Sequence, residues 1–349
     1  MASKVVNYEM MKPNRKVISF FCLGSILLII SLSIGISVGA VSVHTSTVWG
    51  IILNKFSPDL VEQTWSKGRE AIVWDIRFPR TLLAIMVGSG LAIVGASLQS
   101  VTRNLLADPH LLGISSGGAF GAILALLHTG LFIGLLTVPL LAFLGALFAT
   151  FIVLMVSRFT SSTSADRLVL AGVAVSFIIM SCANILIFLG DPKATHTVVF
   201  WMLGGLGLAQ WNQLIYPLIV LLICGLWLFS QARVLNAMTV GDETASTLGI
   251  NVTKFRFIIF VVCSLITGVM VAFSGIIGFV GLMVPHIVRM FVGGDYFRVL
   301  PLSALLGAIF LLWADIAARK IMPPEDMPIG IVTGLVGGIF FVWLLRRNN

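Results

Sequence analysis

Ten apolar runs, each about as long as a bilayer-crossing helix and joined by short polar connections, leave this chain few folds to adopt. They cover about 17–40, 80–102, 110–128, 136–157, 168–189, 211–230, 256–274, 276–292, 300–318 and 328–345. A crossing helix needs roughly 17–25 predominantly apolar residues. Hydrophobic residues make up 58% and charged ones only 10%, whereas soluble domains are about 45–50% apolar with about a quarter charged. The expectation is an all-α polytopic membrane protein with ten transmembrane helices, forming a single membrane domain over 1–349. Lys12, Arg15 and Lys16 precede the first run, and the excess of Lys and Arg falls on the same side as these. Both ends are therefore expected in the cytoplasm, with the chain multi-pass in the inner membrane.

The connections carry further expectations. Residues 41–76 read as a polar outer stretch with Trp49, Trp65 and Trp74 at the interface, and 158–167 as a Ser/Thr-rich cytoplasmic loop. Residues 194–205 are too short to cross and predict an outer-face helix ending at Gly204 and Gly205. Gly88, Gly90, Gly95 and Ala96 suit close helix packing in lipid. Four runs between residues 80 and 190 and four between 256 and 345 hint at two related halves with a pathway between them.

That central segment, RVLNAMTVGDETASTLGINV at 233–252, is mostly polar yet built of helix-forming residues. Leu235 and Met238 lie three apart, as do Ala245 and Leu248, which predicts a narrow apolar stripe on each of two short helices. Gly241 separates them, Asp242 is placed to cap the second, and Gly249 is placed to end it in the left-handed conformation. The topology sets this platform in the cytoplasm.

Chemistry-bearing motifs are sparse. Gly113-Ile114-Ser115-Ser116-Gly117 matches GxSxG but opens a membrane helix rather than a strand-to-helix elbow, so it is read as packing. Cys22, Cys182, Cys224 and Cys263 sit singly in apolar runs, without metal-type spacing. The histidines His44, His110, His128, His196 and His286 lie mostly near span ends and read as interfacial hydrogen-bonding groups. No Gly-Lys dipeptide occurs, so there is no Walker A loop, and any ATP must be handled by another chain. An ion-coupled carrier usually needs carboxylates well inside the bilayer, and here Asp315 is the deepest. The pattern suggests an externally driven transporter, with an ion-coupled secondary transporter as the competing class.

Several separated motifs then resemble one family in order: RFPRTL at 77–82, GLAIVGASLQSVTRN at 90–104, LADPHLLGISSGG at 106–118, FWMLGGL at 200–206, the platform, SGIIGFVGLMVPHIVR at 274–289, ADIAAR at 314–319 and MPIGIVTGLVGGIFFVWLL at 327–345. Together they resemble the iron-siderophore, haem and cobalamin (FecCD-type) class of bacterial ABC importer permeases. One departure is Leu105, where the family usually has proline. The resemblance implies a type II importer permease fold and import of an iron(III)-siderophore complex, with haem or cobalamin as alternatives. It implies that Gly241, Asp242, Glu243, Ala245, Leu248 and Gly249 meet a cytoplasmic ATPase subunit. It implies that Arg77, Arg80 and Arg319 form exposed ion pairs with an extracytoplasmic substrate-binding protein. A second permease subunit and the lipid bilayer complete the expected partners; no enzyme activity of the chain itself, no cofactor and no nucleic acid is implied.

Overall fold

The computed structural model describes residues 15–39, 41–57, 62–159 and 165–347. Lys12 and residues 160–164 of the expected Ser/Thr-rich loop lie outside the described residues. Among the described residues, apart from one four-residue extended segment, Phe132–Leu135, the regular structure is helical. In chain order the helices are α1 (Arg15–Ser37), α2 (Thr45–Phe56), α3 (Lys67–Ala71), α4 (Phe78–Thr102), α5 (Ile114–Leu124), α6 (Thr137–Phe159), α7 (Ala165–Leu189) and α8 (Pro192–Met202). They continue as α9 (Ile215–Ser230), α10 (Ala232–Val240), α11 (Asp242–Thr247), α12 (Val252–Ser274), α13 (Val280–Val292), α14 (Tyr296–Ile321) and α15 (Ile329–Arg347).

Among the described residues, eight helices are long and apolar enough to cross a bilayer, and Ile114–Thr129 and Val280–Val292 are shorter apolar helices. The ten apolar runs therefore all become helices, but two of them only in part. The run expected at 110–128 starts with a 3-10 turn, Pro109–Leu112, and becomes α-helical only after Gly113 at φ +81°. The run expected at 276–292 loses its first turn because Gly275 and Phe279 both have positive φ, so 275–279 is non-helical. Exposed backbone groups are costly in an apolar medium, and at the edge of the second stretch neighbouring segments bond to one another. Gly205 N donates to Ser274 O at 2.8 Å, Ile329 N to Gly204 O at 3.0 Å and Gly330 N to Leu203 O at 3.0 Å. His110 also leaves the role of an interfacial histidine, since its Nε2 lies 3.1 Å from Ile277 O on the second broken stretch.

The polar stretch 41–76 is more structured than expected. Val48, Ile51 and Ile52 of α2 form a small cluster with Trp65 and Val73. A π-helical stretch, Ile72–Arg77, joins α3 to α4 without ending the helix. It sits just before Pro79, whose missing donor and bulky ring disfavour a regular turn there. With Leu105 in place of the expected proline, the preceding Asn104 holds the turn: its side chain accepts from Leu106 N at 2.9 Å.

Burial is uneven, and this identifies the centre of the fold. In the apolar stretch of the span containing α4, 78% of the residues are buried, and in those of α12 and α14 67%, against 6–22% in α1, α7, α9 and α15. The pair α4 and α14 meets backbone to backbone. A methyl group on Gly88 would overlap Gly307 O, one on Gly307 would overlap Gly88 O, and Ser89 Oγ donates to Ala304 O at 2.9 Å. Farther along α4, a methyl on Gly95 would overlap Gly281 O of α13. Without a hydrophobic drive between helices in lipid, such close approach is a main source of cohesion.

Gly95→Ala is expected to force α4 and α13 apart and to cost on the order of 1–3 kcal/mol. Gly68→Ala, at an exposed site on α3 with nothing within 4 Å, should leave stability unchanged or slightly raised. Unfolding temperatures of the two variants in the same detergent check this.

Candidate functional site

The two ends of the α4–α14 pair carry different chemistry. At one end lies the platform, α10 and α11. Leu235, Met238 and Ala245 are fully buried, so the apolar stripe holds α10 and the first turn of α11 against the helices beneath. Leu248 departs from the expected stripe and is 66% exposed, as Val240 is at 69%. The reason is the turn: Gly249 at φ +81° ends α11, with Gly249 N bonded to Ser246 O and Ile250 N to Ala245 O, and this swings Leu248 outward. Glu243 and Gly249 are also exposed, whereas Ala245 supports the surface from below.

Asp242 does not cap α11. Gly241, at φ +146°, occupies the N-cap position without any side-chain bond. The Asp242 carboxylate instead turns to Arg256 on α12, whose Nη2 lies 2.9 Å and 3.0 Å from its two oxygens. Arg256 Nε donates at 3.0 Å to Val101 O in the last turn of α4. Arg103 lies 3.8 Å from the same carboxylate. On α10, Asn236 Nδ2 donates to Asp295 Oδ1 at 2.8 Å and its Oδ1 accepts from Tyr296 N at 2.8 Å. Ser100 Oγ donates to Leu235 O at 2.7 Å, and Tyr296 OH to Ala96 O at 3.1 Å. Each platform helix is thus tied to the end of α4, directly or through one residue. Sequence reading passed over Arg256 and Asn236, and a lone Asn or Arg beside an apolar run carries no local signal for a partner so far away in the chain.

At the other end of the pair, the structure does bring Arg77, Arg80 and Arg319 together, but not as exposed charges. They are only 5–6% exposed. Helix α1 explains why: its last carbonyls have no intrahelical donors, and it ends beside these residues. Arg77 donates to Ile36 O at 3.1 Å, to Ser37 O at 2.9 Å and to Val41 O. Arg319 donates to Gly35 O at 2.9 Å and to Val38 O at 2.6 Å. The fixed fork of guanidinium donors suits such a spray of carbonyls, and positive charge is favoured at a helix C-terminus. Asp315, with no exposed surface, sits between Arg80 Nε at 2.8 Å and Arg319 Nη2 at 3.0 Å. Arg80 also pairs with Asp326, whose side chain is 46% exposed. The signal for this cluster was present as Asp315 one turn before Arg319, although the link to Arg80 spans the whole fold. Arg80 and Asp326 line a cavity of about 450 Å³ with Gln213, Thr197, Trp201 and Phe273.

A packed bundle of apolar helices with a polar two-helix platform at one end and a buried cationic cluster beside a cavity at the other defines the membrane-spanning subunit of a transporter. A family model described as the FecCD transport family matches residues 27–347, and the chain belongs to that family. It is 38% identical over 340 residues to the hemin transport system permease protein HmuU of Yersinia pestis, covering 93% of this chain and 94% of that one. It is 39% identical over 287 residues to the vitamin B12 import system permease protein BtuC of Citrobacter koseri, covering 82% and 86%. A solved structure of an ABC transporter assigned to the metal-chelate type, in an inward-facing conformation, matches with a TM-score of 0.80 at 29% identity, covering 94% of this chain and 99% of that one. The chain is therefore an ABC importer permease; it is not itself an enzyme, and ATP hydrolysis belongs to partner subunits.

The geometry separates two carboxylates that sequence reading could not. Asp315→Asn leaves Arg80 and Arg319 buried without their shared counter-charge, an expected loss of about 3–5 kcal/mol. Asp326→Asn removes a half-exposed partner and is expected to cost about 0–1 kcal/mol. Thermal unfolding of both variants in one detergent checks the difference.

Proposed function

We propose that the chain imports a metal chelate across the cytoplasmic membrane, with α10 and α11 on the cytoplasmic side and the arginine cluster outside. The observation that carries this reading is the platform's surface. Val240, Glu243 and Leu248 project from two short helices whose inner faces are fully packed, which offers a shallow, partly apolar ridge to an ATPase subunit. Exposed apolar side chains at a polar membrane face suit a protein partner better than water. Both chain ends would then be cytoplasmic, and a second permease subunit would complete the pathway.

A substrate-binding protein would dock at the other end. Arg77, Arg80 and Arg319 outnumber Asp315 and Asp326 by one charge, so this end of the bundle favours an acidic partner. Because the arginines are buried, they act as a fixed positive field behind the docking surface and steer association rather than forming rim ion pairs.

For the cargo, an iron(III)-siderophore complex is the first reading. Haem is the second, favoured by the relative named for hemin transport that matches across 93% of this chain, and cobalamin is the third. All are bulky chelates of a single metal ion, and one fold carries many cargoes. Mass spectrometry with metal analysis on ligand retained by the purified complex and its binding protein distinguishes them: iron with a chelator mass, iron porphyrin, or a corrinoid. An ion-coupled carrier would move cargo without any ATPase.

Gly241→Val and Glu243→Arg are expected to leave the chain inserted while lowering substrate-stimulated ATP hydrolysis and uptake by about tenfold or more, since Gly241 sits at a φ that branched residues resist. ATPase and uptake assays on reconstituted complexes check this.

A further inference from the structure

We infer that Arg256 and Asn236 are positioning residues that clamp the platform to the α4–α14 pair, so that displacement of the platform is carried to the arginine cluster by those two helices. The inference rests on the platform being the ATPase-binding surface, and it adds which residues link that surface to the moving core.

Arg256 is almost completely buried, with 4% of its side chain exposed. It joins three separate elements at once: α12 carries it, α11 is held through the Asp242 carboxylate, and α4 is held through Val101 O. A charge-assisted contact from a planar, pre-organised guanidinium fixes orientation as well as distance. Asn236 does the same for α10 and α14, because its amide group gives a hydrogen bond to Asp295 and takes one from Tyr296 N. Asp295 is also the N-cap of α14, accepting from Phe297 N at 3.1 Å. The Asn236 bonds therefore end on the first turn of that helix rather than on a slack loop. Tyr296 closes the circuit by donating to Ala96 O of α4.

The two helices so gripped run the length of the bundle. Helix α4 has 25 residues and α14 has 26, about 37–39 Å at 1.5 Å per residue. Val101 and Tyr296 lie at the platform end, and Arg80 and Asp315 lie at the other, paired with each other. Between them the glycine contact at Gly88 and Gly307 leaves no layer of side chains to yield. Close-packed interiors transmit displacement instead of absorbing it. The platform, the paired helices and the cationic cluster thus form one mechanical unit, with Arg256 and Asn236 at its entry.

The test uses the full complex of permease, ATPase and binding protein in proteoliposomes. Three quantities are read: co-purification of the ATPase, ATP hydrolysed, and cargo moved per ATP. Arg256→Gln, Asp242→Asn and Asn236→Ala are each expected to keep the ATPase bound and to lower cargo moved per ATP by about tenfold. Arg256→Gln combined with Asp242→Asn should be no worse than the poorer single variant, because both remove one contact, whereas adding Asn236→Ala should lower the yield further. A residue needed only for folding would lower bound ATPase and hydrolysis together and leave cargo per ATP unchanged. If Arg256→Gln fails to assemble, Asp242→Asn decides, since its carboxylate is partly exposed and its replacement isosteric. Wild-type cargo per ATP in assembled Asp242→Asn and Asn236→Ala complexes would overturn the clamp. Failure of the wild-type chain to bind any ATPase would instead overturn the platform reading beneath it.

Discussion

The backbone-to-backbone approach of α4 and α14 is the contact on which the remaining structure depends. Gly88 and Gly307 permit it, and no side chain larger than hydrogen fits at either place. In lipid there is little hydrophobic gain from bringing two apolar helices together, so van der Waals contact at close range and interhelical polar bonds must supply the cohesion. Once α4 and α14 are fixed, α12 and α13 pack against α4, and α1 lies along α14. The polar clusters at the two ends then follow, because each is built from residues that only this pairing brings within reach. Arg80 finds Asp315, and Tyr296 finds Ala96.

Polar groups in the bundle obey the same economy. The broken stretches around 203–205, 274–279 and 327–330 bond to one another, so irregular backbone is tolerated where protein surrounds it. The arginine cluster solves a related problem at the end of α1, where unpaired carbonyls meet guanidinium donors. A charge in this setting serves structure first. Any influence on a docking partner comes through the field of the cluster and through Asp326 at the cavity mouth.

Much of this was legible in the sequence. Hydropathy placed the ten runs, since long apolar stretches with polar joints have few alternatives in a membrane. Gly249 as a helix stop and the buried positions of Leu235, Met238 and Ala245 followed from spacing and from glycine's freedom at positive φ. The same signals misread Asp242, because an acid before a helix looks like a cap and the competing arginine lies 14 residues away. They misread 276–279 as helix, because an extended apolar segment packed in protein has the same composition as a helical one. They also misread Arg77, Arg80 and Arg319 as exposed, since composition cannot tell a guanidinium facing water from one facing the carbonyls at a helix end. Contacts such as Arg80 with Asp315, 235 residues apart, are set by tertiary packing and leave no local trace.

Which end of the bundle meets the ATPase decides the roles of the platform and the arginine cluster alike. A direct measurement is disulfide cross-linking in reconstituted complexes from a variant lacking Cys22, Cys182, Cys224 and Cys263, with a single cysteine introduced either by Leu248→Cys at the platform or by Leu208→Cys beside the cavity at the arginine end. With cysteines on the contact face of the ATPase subunit, Leu248→Cys is expected to cross-link and to block ATP-driven uptake, and Leu208→Cys to do neither. Cross-linking from Leu208→Cys with none from Leu248→Cys would contradict the account.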